Sequence, residues 1–289
     1  VQQDIRALEN ANAILTYDTS TGVAPTTLAN EVSVMAGSTW GQPLANNGVT
    51  QYMPMTGGRP DIGPLTQANA LWLLTQNQQA AQYALGQADA SGAVPWHFYD
   101  PQTGQYLSLS QYPQLWTDVR GGTGAPGGLT QQIDPTGATG WTADNAHMPE
   151  LSFVPFLATG DRYTLDQLNA QASASILSDW SFYRQDGKGL VANGSDQVRG
   201  QAWALREIDN AAYANPDGSP MKAYFTQIAS NNWSYLVSMI PTWTAQQGEA
   251  YGRVPGDYGN SGGMAPWQQD FFATTTVMAA LQGNKDAAT

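Results

Sequence analysis

The chain has 289 residues, of which 42% are apolar and 12% charged. That is material for a substantial core in one or two domains, so a disordered chain is excluded. Eleven Lys+Arg against 23 Asp+Glu leave a formal charge of −12, which argues against nucleic-acid and anionic-membrane partners. With no Cys in the chain, disulfide scaffolds, thiol catalysis and Cys-type zinc sites are ruled out.

No apolar run approaches the roughly 18 residues that a membrane-spanning helix needs, so no membrane insertion is expected. The opening Val1-Gln2-Gln3-Asp4 has neither an initiator Met nor a basic leader, and reads as a processed or excised start. Polarity comes mainly from uncharged groups, including 27 Gln and 16 Asn, beside 10 Trp and 13 Tyr. A cysteine-free, acidic, amide-rich chain suits an extracellular or periplasmic setting.

In chain order, residues 1–60 are expected to form an irregular N-terminal segment with one helix near residues 5–15, packed on a helical domain over 61–289. That domain is built from helix pairs. Residues 65–75 and 78–89 both repeat Leu and Ala at helical spacing, with only Gln76-Asn77 between them, which predicts an antiparallel hairpin. A second pair is read over 149–158 and 163–183, turning at Thr159-Gly160-Asp161, with Pro149 in its first turn and a kink at Pro155. A third spans 197–214 and 219–240 around Asn215-Pro216-Asp217-Gly218. A fourth opens at 266–281, turns at Gly283-Asn284, and begins a partner helix at 285–289, as though the sequence were cut inside a hairpin. Between the pairs lie long Gly- and Pro-rich connections at 92–147, 184–196 and 245–265. The first holds a small β-hairpin, 94–100 with 105–109, and a Gly run at 121–128.

Short turns inside pairs and long loops between them place every long loop at one end. Each first helix is entered there through clustered polar groups: Arg59 and Asp61; Trp141, Asp144, Asn145, His147 and Glu150; Asp196, Arg199 and Trp203; Trp267, Gln269 and Asp270. Tyr251, Arg253, Asp257 and Tyr258 border the same space. Asp61, Asp144 and Asp196 also stand where helix N-caps belong. Capping, however, does not account for Arg59, His147 and Arg199, since cations oppose the dipole at that end. The four helix heads are therefore expected to gather round one mouth.

His147 and Glu150, three residues apart, are expected on one helical face as a proton-transfer pair. Asp270, alone on an apolar helix, is expected to pair with Arg199. Trp203 and Trp267 fit core or ligand platform equally, whereas Trp116 and Trp141, in polar loops, are candidates for stacking. His97 reads as a packed or surface residue. A single nearby His argues against zinc, and no cofactor is expected, although loop oxygens leave a structural calcium open. The sequence carries no nucleophile elbow, phosphate loop, dinucleotide fingerprint or zinc-protease motif.

This arrangement of hairpins, with polar and aromatic groups at the long-loop end, resembles the α/α-toroid carbohydrate-active enzymes, the glycoside hydrolases and polysaccharide lyases. The resemblance spans about residues 60–289 and is architectural, without a signature motif. It implies a mainly α, incomplete toroid acting on a polysaccharide or oligosaccharide. As a hydrolase, the chain would draw an acid and a base or nucleophile from Asp144, Glu150, Asp196 and Asp270. As a lyase, it would use Asn145, His147, Tyr251 or Tyr258, and Arg199 or Arg253. The net charge favours a neutral or weakly charged glycan, hence hydrolysis. A non-catalytic glycan-binding or assembly protein is the third alternative.

Overall fold

The structure, a computed structural model, describes residues 4–20, 22–55, 57–117, 140–248, 253–256, 258 and 263–289. Among these the chain is mainly helical: α1 (Ile5–Asn10), α2 (Pro25–Met35), α3 (Gln67–Thr75), α4 (Gln78–Ala90), α5 (Phe153–Thr159), α6 (Arg162–Leu177), α7 (Val198–Ala214), α8 (Pro220–Gln247) and α9 (Pro266–Leu281). One small antiparallel sheet pairs β1 (Tyr99–Asp100) with β2 (Gln105–Tyr106), Tyr99 opposite Tyr106.

Local chemistry sets the hairpin turns. The Thr66 hydroxyl accepts from Asn69 N at 3.1 Å and starts α3. Gln76 then turns left-handed (φ 52°), and the Asn77 side chain accepts from Gln79 N at 2.7 Å to start α4. Gly160 ends α5 left-handed and Asp161 caps α6 by accepting from Tyr163 N at 2.9 Å. Between α7 and α8, Asn215 exchanges side-chain hydrogen bonds with Asn169 of α6 at 2.6 and 3.2 Å, tying that turn to the neighbouring hairpin.

Several boundaries differ from expectation. Residues 149–152 are not helical: α5 starts at Phe153, where Glu150 supplies the first turn's acceptor. Pro155 sits third in α5, where a missing N–H removes no helical bond, so it starts the helix rather than interrupting it. Helix α6 stops at Leu177, leaving residues 178–183 as a turn. Helix α8 instead passes through Pro241, exposed on its outer side, to Gln247. The strands are two residues each, α1 is shorter than read, and residues 285–289 form turns instead of a helix. Helix α2 was not anticipated. The Gly run 121–128 lies outside the described residues.

Helix α7 is the centre of the molecule. Every residue from Val198 to Ala211 is buried, against α5, α6, α8 and α9. Trp203, Phe225, Leu205 and Ile208 are fully buried in the surrounding core, and side chains of this size contribute about 1.5–3 kcal/mol each. The N-terminal segment packs α2 on α4 and stacks Trp40 on Tyr83, with ring centres 5.2 Å apart. Between α8 and α9 runs an apolar groove of about 610 Å³ that includes Leu236, Ile240, Trp243, Phe272 and Val277.

Candidate functional site

The site is built around the head of α7. A short 3-10 turn, Asn145–His147, packs against α7; it carries two of the expected side chains, Asn145 and His147, and Asp144 directly precedes it. The His147 ring bonds Asp144 through Nδ1, and its Nε2 lies 2.6 Å from Arg199 Nη2. A guanidinium can only donate, so Nε2 is the acceptor and the ring proton sits on Nδ1, donated to Asp144. Arg199 is buried, 5.0 Å from the ring centre of Trp267, and burial lowers its pKa. Its backbone N–H donates to the Gln268 side chain at 3.1 Å, joining α7 to α9. Across the guanidinium runs the backbone of Gly57: a Cβ there would fall 1.7 Å from Arg199 Nη1, so any larger residue would displace the guanidinium from this position.

On the neighbouring face of α7 opens a pocket of about 350 Å³. Asn145, Asp179, Trp180, Tyr183, Ser195 and Asp196 contribute to its walls, with Gly200 and Ala204 as its floor on α7. Asp196 folds back over Gly200, where a Cβ would meet its carboxylate at 2.1 Å, and accepts from Gln197 N at 2.6 Å. Burial raises the Asp196 carboxyl to about 7, and the charges of Asp144 and Asp179 push the same way. Asp179 is raised by burial too. It accepts from Asn193 Nδ2 at 2.6 Å, from Ser195 Oγ at 3.2 Å and from Trp180 N at 2.8 Å. The fully buried Arg184 fastens this turn by donating to the Asp179, Pro113 and Leu115 carbonyls. Trp116 packs on Trp180 with centres 4.9 Å apart, and Trp180 on Tyr183 at 6.1 Å.

The structure therefore brings together Asp144, Asn145, His147, Asp196 and Arg199, with Trp116 beside the pocket and Tyr258 edge-on to Trp267 at 5.7 Å. Other expected residues go elsewhere. Glu150 does not share a face with His147: the chain is extended between them, and Glu150 turns into the core. There it accepts from Ser152 N, Phe153 N and Asn69 Nδ2 as the cap of α5, and burial raises its pKa. Asp270 is exposed on α9 beside the apolar groove and is not paired with Arg199, which instead meets His147 and the Trp267 ring. Arg253 lies along the same groove, and Gln269 holds the Val254 backbone at 3.0 and 2.9 Å, a structural tie.

Arg59 and Asp61 form a nearly buried ion pair at 2.9 Å. Arg59 also donates to the carbonyls of Met53 and His147, so it props the loop that carries His147. Trp141 and Trp203 are core residues, 3% and 0% exposed, rather than platforms. Trp203 lies over Arg206 and against Phe271. His97 is packed, its ring bonded to the Val94 carbonyl and to Gln167. Tyr251 and Asp257 lie outside the described residues.

Asp179, Trp180 and Tyr183 escaped sequence reasoning because the stretch continues the polar-apolar rhythm of α6. Ser178-Asp179, a pair favouring turns over helix interiors, is the signal that could have found them. Among the described residues no group of three or more His, Cys, Asp or Glu gathers to hold a metal ion. No helix among them is long and apolar enough to cross a membrane. No known protein family, curated protein or solved structure matches this chain.

Proposed function

We propose that the chain is a glycoside hydrolase acting on a neutral or weakly charged polysaccharide at the head of α7, and that its hairpins form part of an α/α toroid. The observation that carries the reading is Asp196, a half-buried carboxyl raised to about 7 on the wall of an open pocket flanked by Trp180 and Tyr183. A carboxyl still protonated near neutrality can give its proton to a leaving glycosidic oxygen. Asp144, near enough that its charge raises Asp196 further, is the second carboxylate, oriented by His147 and, through it, by Arg199. Of the four carboxylates that the sequence offered, Asp144 and Asp196 are thus retained, while Glu150 and Asp270 drop out.

The charge of the mouth supports hydrolysis over uronate elimination. Asp179 and Asp196 line it, Asp144 lies near enough for its charge to act on Asp196, and the guanidinium of Arg199 is already engaged by His147 and Trp267. Secretion to an extracellular or periplasmic space accords with such a substrate.

The test is a reducing-end assay on soluble β-glucan, xylan, galactomannan and polygalacturonate. New reducing ends from a neutral polymer, without the ultraviolet absorbance of an unsaturated sugar, are expected. Asp196→Asn and Asp144→Asn should each slow this by about 10²–10⁴-fold while leaving Tm nearly unchanged. Unsaturated product would make the chain a lyase. Binding without any cleavage would make it a glycan-binding protein.

A further inference from the structure

The ten tryptophans are distributed unevenly: eight are buried or half-buried, and the two exposed ones are Trp180 (39%) and Trp267 (37%). Both stand at the α7 head. Gly200 and Ala204, four residues apart on α7, form the face that floors the pocket below Trp180 and Tyr183, and Asp196, just before the helix, folds back over Gly200. Positions 199 and 203 form a face about 100° further round, and this face meets Trp267 and Phe271. Each tryptophan is extended outward by another exposed ring: Phe182, 82% exposed, lies against Tyr183 on the first side, and Tyr258, 46% exposed, lies edge-on to Trp267 on the second. Between the two aromatic groups lie Asp144, Asn145 and His147, linked to Trp267 through Arg199.

Exposed aromatic patches on either side of hydrogen-bonding groups match one ligand chemistry well. A sugar ring offers a C–H face to an aromatic ring and a rim of hydroxyls to amides and carboxylates, and a linear glycan repeats that offer along its length. We infer that the Trp180 and Trp267 walls are the two flanks of a single extended groove, which holds a neutral glycan chain across the head of α7 with sugars stacked on both sides of the carboxylates. This rests on the hydrolase reading for the identity of the ligand and adds its shape: a polymer interior, gripped on both sides of the bond to be cut.

The experiment is affinity electrophoresis of the full chain in native gels containing soluble β-glucan, xylan, galactomannan or polygalacturonate, one per gel. At least one neutral polymer should retard the protein. Trp180→Ala and Trp267→Ala should each weaken that retardation about tenfold, with partial rescue by Trp→Phe at either position. Tyr99→Ala, an exposed ring on the distant β1, should behave as wild type. Retardation by none of the polymers, or only by polygalacturonate, overturns the inference. So does a loss on replacing only one tryptophan, or an equal loss with Tyr99→Ala. Binding that depends on both tryptophans but never leads to cleavage defeats the hydrolase reading and leaves the groove. Cleavage that ignores both tryptophans does the reverse.

Discussion

Helix α7 carries two arginine–carboxylate clusters two turns apart, and they have opposite fates. At its head, Arg199 lies under Trp267 and reaches His147, with Asp196 opening into a pocket. Deeper in, Arg206 lies over Trp203, pairs with Glu207 at 2.7 Å, and donates to the Gly63 and Met148 carbonyls. Glu150 and Asp209 are buried near by, Asp209 accepting from Trp233 Nε1 at 3.1 Å. Burial raises Glu207 and Asp209 to about 7, as it does Asp196. A displaced carboxyl therefore does not by itself mark a reactive site. Access does: Asp196 stands on the wall of the pocket of about 350 Å³, whereas Glu207 is sealed at 0% exposure.

The largest effect expected from this contrast is at the sealed cluster. Arg206→Met removes the partner of Glu207 and leaves the buried Gly63 and Met148 carbonyls without their donor, a loss of about 3–5 kcal/mol. Differential scanning calorimetry should show a Tm lower by about 10 °C; an unchanged Tm would mean that the cluster is not the closed ion pair described here. A smaller effect, confined to function, belongs to the open cluster. Gly57→Ala pushes the Arg199 guanidinium off His147, and kcat/KM on the polymer cleaved should fall about tenfold to a hundredfold, the scale of an ångström of misplacement. Full activity in that variant would break the link from Arg199 to Asp144.

The subtlest effect is in pH. Because Glu207 holds its proton to about 7 when folded and releases it near its ordinary range when unfolded, the unfolded chain binds fewer protons between those values. Its contribution is full below about 4 and lost as pH rises through about 7. Glu207→Gln should therefore flatten the decline of Tm between pH 5 and 8, and a decline as steep as wild type would assign it to other groups.

How legible this molecule was in sequence depended on what each residue faces. Helices α3, α4 and α7 announced themselves because Leu, Ala and aromatic residues repeat on a buried face, and α9 because Pro266 marks its start and Phe272 and Ala279 lie on its inner side. Helix α2 did not: Leu28, Val32 and Met35 share one side of it, but they are only half-buried and Glu31 is its one buried residue, so the apolar stripe was short and broken by a carboxylate. The gathering of Asp144, His147, Asp196 and Arg199 followed from counting which loops share an end. The fates of Glu150 and Asp270 did not: α5 begins at Phe153, four residues later than read, so Glu150 precedes it and turns inward, whereas α9 begins where expected and Asp270 falls on its exposed side. A tryptophan in a polar loop gave no guide either, as Trp141 went to the core and Trp116 to the pocket's edge.

One buried amide sets the shape of the cleft. Asn232, on α8, donates from Nδ2 to the Gly189 and Ile228 carbonyls at 2.9 Å each, while its carbonyl accepts from Val191 N at 2.8 Å and Ala192 N at 3.2 Å. Two donors and two lone pairs are all that a carboxamide has, so its bonding capacity is saturated. The segment leading to Asp196 is thus moored to a helix behind the opening, and the gap that a ligand meets is gauged by the spacing of α7 and α8, not by the loop itself.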